Sequence, residues 1–161
     1  MKRINRFLFG TFISMAVISA GYGNAEAKEQ MVNKRLDRQI EIVNKIIPKD
    51  KTKRCPKFEK IFEDHGLPVE IFSYIAWRES RCNPKAINAK FKNGKIIWTL
   101  NKNGTYDSGL VQINSSWRTL TLQICKSRDL QILFDVNCNL KVAKFLLEQT
   151  TSGLNNWGFG V

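Results

Sequence analysis

Apolar residues recur at intervals of three and four through Val32, Leu36, Ile40, Val43 and Ile47, which predicts an amphipathic helix over residues 31–47, stopped by Pro48. Such a stripe serves either as an arm for a membrane surface or partner, or as a face packed on its own domain; the second is the expectation here. A short basic run, Lys49 to Arg54, follows. Residues 56–64 read as a helix ended by Gly66, and Pro68, at a favoured first helical position, opens another through about Arg81. From 83 to 106 the pattern turns polar, with turn signals at Asn93-Gly94 and Asn103-Gly104 on either side of Ile96-Ile97-Trp98. That predicts a small hairpin or β-flap. The segment from Gly109 reads as a short helix and 120–134 as one or two more. Residues 136–149 form a good amphipathic helix carrying Val136, Leu140, Ala143 and Leu147. The expected fold is mainly α, with one β excursion.

The first residues have a different character. Lys2, Arg3 and Arg6 precede an apolar run from Phe7 to Ala20, and Ala25-Glu26-Ala27 then supplies small residues where a signal peptidase needs them. That order predicts a secretory leader cut after Ala27. The apolar run is shorter than the roughly 20 residues of a bilayer span, so an uncleaved anchor is the weaker reading. The expected organisation is a leader at 1–27, an amphipathic helix and basic linker at 28–54, and one compact domain at 55–161. The cut product is expected in the periplasm or secreted, with no stable membrane span.

Charge and cysteines narrow the class. The chain has 26 basic against 14 acidic residues, a net charge of +12. Such a surplus favours a polyanionic partner. Export argues against nucleic acid and for a carboxylate-rich or teichoic cell envelope. Cys55, Cys82, Cys125 and Cys138 all follow the leader, and an even number in an exported chain suggests two disulfides, with three connectivities open. A zinc site is the rival, but the spacings lack a C-x-x-C pair and His65 is the chain's one histidine. One histidine also makes a Ser-His-Asp or Cys-His arrangement implausible, and neither metal nor organic cofactor is implied.

The informative segment is the helix at 68–81. Its apolar face runs through Ile71, Phe72, Ile75 and Ala76, and four residues after Ile75 comes Glu79. A carboxyl at the end of a core-facing stripe is partly desolvated, which disfavours its charged form. Glycosidic cleavage needs such a protonated acid, because a sugar oxygen leaves poorly without a proton. On its own, this face favours a glutamate paired with an arginine or capping a helix.

Three blocks decide between those readings: IAWRESRCNPKAIN at 75–88, GTYDSGLVQINSSW at 104–117 and LFDVNCNLKVAKFLL at 133–147. In order and spacing they resemble the lysozyme-like lytic transglycosylases. The likeness is greatest to the small exported ones attached to type IV and type III secretion and conjugation systems, and covers roughly residues 55–160. The resemblance implies an α+β lysozyme-like fold, with the flap near an active-site cleft, and peptidoglycan glycan strands as substrate. Components of a secretion or conjugation apparatus are implied as partners. Glu79 falls on the family's general acid. Ser80 falls on the serine held to orient the catalytic region, and Gln112 and Asn114 on polar residues of the cleft floor. Asp107 falls in the block shared with animal-type lysozymes, where it is the second carboxylate. A retaining hydrolase uses two carboxyl groups about 5–5.5 Å apart. A lytic transglycosylase needs the glutamate alone. The expectation is the transglycosylase, with the two-carboxylate muramidase and a weakly active peptidoglycan-binding factor as alternatives.

The chain also departs from the pattern. The link at 89–103 is longer than the family's usual one, Val136 replaces a proline and Val111 a methionine. Asn155 to Val161 looks like the start of the family's W-x-x-V-G-A-Y-N-A-G segment, so a cleft Tyr-Asn is missing, weak activity is expected, and the terminus is expected to fray. An antiparallel hairpin of the helices at 56–64 and 68–81 would set Cys55 beside Cys82 and leave Cys125 to join Cys138.

Overall fold

The computed structural model describes residues 14–161, so the basic start of the expected leader and the first part of its apolar run lie outside the described residues. Helix α1 (Ser14–Ile46) covers the helix expected at 31–47 as far as Ile46 and extends it toward the N-terminus. The added stretch has no proline and carries Ala16, Ala20, Ala25 and Ala27, so nothing in it stops a helix. Among the described residues no helix is long and apolar enough to cross a membrane.

The apolar stripe of α1 meets the chain's own core. Val43 and Ile47 are buried, with Leu36 and Ile40 packed beside them. Its polar contacts reach the other end of the chain. Gln39 Nε2 donates to Ser152 O at 3.2 Å and Val161 O at 3.0 Å, while Gln39 Oε1 accepts from Leu154 N at 3.0 Å. Val161 also pairs with Asn155 through its own N–H. The last residue is thereby tied down rather than frayed.

After a 3-10 turn at Lys51–Lys53 the chain forms another at Pro56–Phe58, then α2 (Glu59–Asp64) and α3 (Val69–Ser80). Pro68 is the cap of α3 rather than its first residue. The two helices form the expected hairpin across Gly66, and Cys55 is bonded to Cys82. Phe62 on α2 and Phe72 on α3 meet at 6.3 Å, and Trp157 stands edge-on to Phe72 at 5.2 Å. Each such ring contributes roughly 1.5–3 kcal/mol by leaving water.

Strands β1 (Ala89–Lys92) and β2 (Lys95–Thr99) make the expected hairpin, turned at Asn93-Gly94 with positive φ at both residues. Its register shifts at Lys90/Phe91, which leaves Ile97 opposite no residue. Strands β3 (Asp107–Ser108) and β4 (Ile113–Asn114) form a second short antiparallel pair. The helix expected from Gly109 is absent. Gly109 has φ 84° and Gln112 φ 51°, and two left-handed residues three apart turn the chain back into β4 instead.

Helix α4 (Arg118–Cys125), a 3-10 turn (Leu130–Phe134) and α5 (Val136–Gln149) complete the core, with Cys125 bonded to Cys138. Asp135 caps α5 by accepting from Cys138 N at 2.8 Å, and Leu140, Ala143 and Leu147 are buried. A last 3-10 turn at Gly153–Trp157 places Trp157 in the core and Phe159 against it. The architecture is the mainly α, lysozyme-like one, with a small β region.

Candidate active site

Glu79 sits on the last turn of α3, but it does not continue the buried stripe. Its side chain is 29% exposed, whereas Ser80, four residues after Ala76, is 8% exposed and takes the inward place. A step of 100° per residue makes the two positions adjacent, and the hydroxyl, which can bond locally, is the one turned inward. Ser80 Oγ lies 2.9 Å from Ala76 O and 2.7 Å from Leu110 O, sharing one proton between them. The second contact spans 30 residues and fastens the end of α3 to the β3–β4 turn.

Glu79 is paired with its neighbour. Arg78 Nε and Nη2 both donate to Glu79 Oε1, at 2.9 and 2.7 Å. The same guanidinium bonds the Trp157 carbonyl and lies 4.9 Å from the centre of the Phe159 ring. Glu79 Oε2 takes no hydrogen bond from the described residues. One oxygen is therefore held and the other has no partner among the described residues. Beyond Ser80, Arg81 and Cys82 both have positive φ, at 54° and 63°. Arg81 is the left-handed cap of α3: its N–H donates to Trp77 O at 3.1 Å and the Cys82 N–H to Ala76 O at 3.2 Å.

Asp107 belongs to a different arrangement. Its Oδ2 accepts from Asn88 Nδ2 at 2.7 Å and Asn101 Nδ2 at 2.8 Å, and its Oδ1 from Asn114 Nδ2 at 2.6 Å. Its own N–H donates to Asn88 Oδ1. Three amide donors thus converge on the carboxylate from the start of the hairpin, its end and β4. Asn114 also accepts from Ser116 N, capping the 3-10 turn at Ser115–Trp117.

Gln112 holds the loop between β3 and β4, its amide donating to Ala86 O at 3.1 Å and Gly109 O at 2.9 Å. The structure thus brings Ser80, Gln112 and their loop together, and separately Asp107 and Asn114. Glu79 and Asp107 share no hydrogen-bond partner among the described residues.

Sequence reasoning passed over two side chains that shape this region. Asn139 is fully buried on α5, accepting from Val111 N at 3.0 Å and donating to Ser108 O at 3.1 Å, so it clamps both sides of Gly109. An asparagine one residue before Leu140 on an apolar face was the available signal. Arg78 is the other, visible only as a cation beside Glu79.

Burial pushes the Tyr106 hydroxyl above the ordinary tyrosine value, with Asp129 adding to the rise and Arg118 opposing it. Tyr106 and Ser108 face a cavity of about 640 Å³ that also touches Phe91, Arg118 and Phe134. Alternation along β3 turns Asp107 to the other face.

The model of the transglycosylase SLT domain family matches residues 57–161. No curated protein and no solved structure matches the chain. The family's members are lytic transglycosylases of peptidoglycan, and the matched span holds α3 with Glu79, both short β pairs and α5. Because that match covers well over half of the chain, the protein belongs to the transglycosylase SLT domain family.

Proposed function

We propose that this chain cuts the β-1,4 bond between MurNAc and GlcNAc in peptidoglycan, with Glu79 as acid and then base, and leaves a 1,6-anhydro-MurNAc end. The observation that carries the reading is Glu79 at the end of α3, with Oε1 held by Arg78 and Oε2 unengaged. The Oε2 proton passes to the bridging oxygen as the C1–O bond breaks, and GlcNAc departs as an alcohol. The sugar's N-acetyl group stabilises the cation at C1. Glu79, now a carboxylate, takes the proton of the C6 hydroxyl while that oxygen closes on C1. No water is consumed, and the acid is regenerated.

Ser80 and Gln112 serve this chemistry by fixing the loop opposite α3, since a displacement of about 1 Å can cost roughly 100-fold in rate. Asn114 fixes Asp107. The convergence of three amides on Asp107 favours one second reading, a muramidase in which this fixed carboxylate stabilises the cation and water completes the reaction. The leader-like start supports action in the periplasm or outside the cell, and a secretion or conjugation apparatus is the partner we propose for it.

Glu79→Gln keeps the shape and removes the proton. Turnover of isolated sacculi should fall at least about 100-fold, while sacculus binding persists. Turnover within tenfold of the parent would refute Glu79 as the acid.

A further inference from the structure

The hairpin at 89–103 is the part of the chain that the family resemblance does not account for. It carries Lys90, Lys92, Lys95 and Lys102 with no acidic residue, and exposes Phe91, Ile96, Ile97, Trp98 and Leu100. These side chains divide between two faces. Phe91 pairs across the strands with Ile96 and meets Tyr106 edge-on at 5.3 Å, so that pair turns toward the cavity face. Lys90 pairs with Trp98, and its Nζ lies 5.7 Å from the Trp98 ring centre. Lys90 alternates with Phe91 along β1 and so turns away from the cavity, the side to which β3 turns Asp107. The Lys90–Trp98 pair therefore lies on the Asp107 face.

The base of the hairpin is fixed to that face. Leu100 N donates to Asn88 O at 3.0 Å, Asn101 Nδ2 to Asp107 Oδ2 at 2.8 Å, and Thr99 Oγ1 to the Thr105 carbonyl. The hairpin is thus a rigid extension of the Asp107 network.

We infer that Lys90 and Trp98 form an outer subsite for the peptidoglycan strand, Trp98 taking the apolar face of a sugar ring and Lys90 a carboxylate of the stem peptide. This rests on the peptidoglycan reading above. Trp98 is 49% exposed beside the Lys90 ammonium, so about half of the side chain is open to a sugar's C–H edges. Charge points to the same occupant: the hairpin is uniformly cationic and the substrate anionic. A lipid surface fits less well. The Asp107 face sets Trp98 and the exposed Leu100 beside an ammonium and an amide-ringed carboxylate, whereas Phe91 and Ile96, which a bilayer would want with them, turn the other way.

The test measures binding of the full chain and its variants to isolated sacculi, to uncharged N-acetylglucosamine oligomers and to phosphatidylglycerol vesicles, with folding checked by circular dichroism. Trp98→Ala should weaken sacculus and oligomer binding at least about tenfold, and Trp98→Phe should restore most of it. Lys90→Glu should weaken sacculus binding about three- to fivefold at low salt, without change on the oligomers, and the difference should vanish near 1 M salt. Lys57→Glu, the same charge change on the helical side, should have no such effect. Trp98→Ala binding within about twofold of the parent overturns the inference. So does loss of vesicle binding by Trp98→Ala with sacculus binding intact, which would assign the hairpin to the membrane. If the parent neither binds nor cuts sacculi, the peptidoglycan reading itself fails; if it does both and the hairpin variants match it, only the subsite does.

Discussion

The helical side and the β region of this protein are held together by different forces. Around Glu79 the structure is apolar and covalently tied: Ile71, Phe72, Ile75 and Ala76 are fully buried, and both disulfides lie among the helices, Cys55–Cys82 at the end of α3 and Cys125–Cys138 between α4 and α5. Around Asp107 the structure is polar and amide-built, with Asn88, Asn101 and Asn114 converging on one carboxylate and no disulfide near. The first kind of cohesion positions the Glu79 carboxyl on a rigid helix end. The second makes a surface whose groups are aimed by hydrogen bonds, suited to meeting a polar strand. The two sides meet at the loop after β3, where Ser80 and Asn139 both hold backbone carbonyls.

That junction is where a single change should cost most. A Cβ on Gly109 would land on the Leu133 carbonyl and the buried Asn139 amide, in a backbone with φ 84°. Gly109→Ala should cost about 3–5 kcal/mol in urea unfolding, from overpacking and left-handed strain together. A cost under about 1 kcal/mol would show that the two sides are not locked there.

Reduction separates the sides next. Removing either disulfide should destabilise the protein by about 2–4 kcal/mol, through freed chain entropy. Hydrogen exchange should rise in α3 or α5 while the β1–β2 amides keep their protection until global unfolding. Equal loosening of both sides would contradict the division.

Asp107→Asn probes the amide side alone. It replaces an acceptor with a group that must present one donor to surrounding donors, so stability should fall by about 1 kcal/mol. Turnover should fall less than about tenfold for a transglycosylase and by about 100-fold or more if Asp107 carries the reaction.

The smallest effect is at Tyr106. Its unfolded phenol loses a proton before the buried one does, so its contribution is fully present below the unfolded value and lost as pH rises through the raised folded value. Tyr106→Phe should flatten the alkaline part of the urea midpoint against pH curve. An unchanged slope above about pH 10 would exclude this role.

The two sides also differed in how far they could be read from sequence. Helices α2, α3 and α5 follow from periodicity, and the α2–α3 hairpin carried the Cys55–Cys82 pairing with it. The β1–β2 turn follows from Asn93-Gly94, which local conformation alone demands. The network around Asp107 did not follow, because Asn88 and Asn101 find their acceptor only once the chain has folded back 19 and 6 residues away. Glu79 and Ser80 exchanged their expected burial for the same reason: the Leu110 carbonyl that draws Ser80 inward is 30 residues distant. The helix expected from Gly109 failed because periodicity does not register positive φ at Gly109 and Gln112.

The central claim is that Glu79 alone completes the reaction, on the helical side, without water. Mass analysis of muropeptides released from sacculi by the purified chain tests it most directly. The account predicts products ending in 1,6-anhydro-MurNAc, lighter by one water than their hydrolysed counterparts and absent with Glu79→Gln. Products with reducing MurNAc ends, dependent on both Glu79 and Asp107, would contradict it.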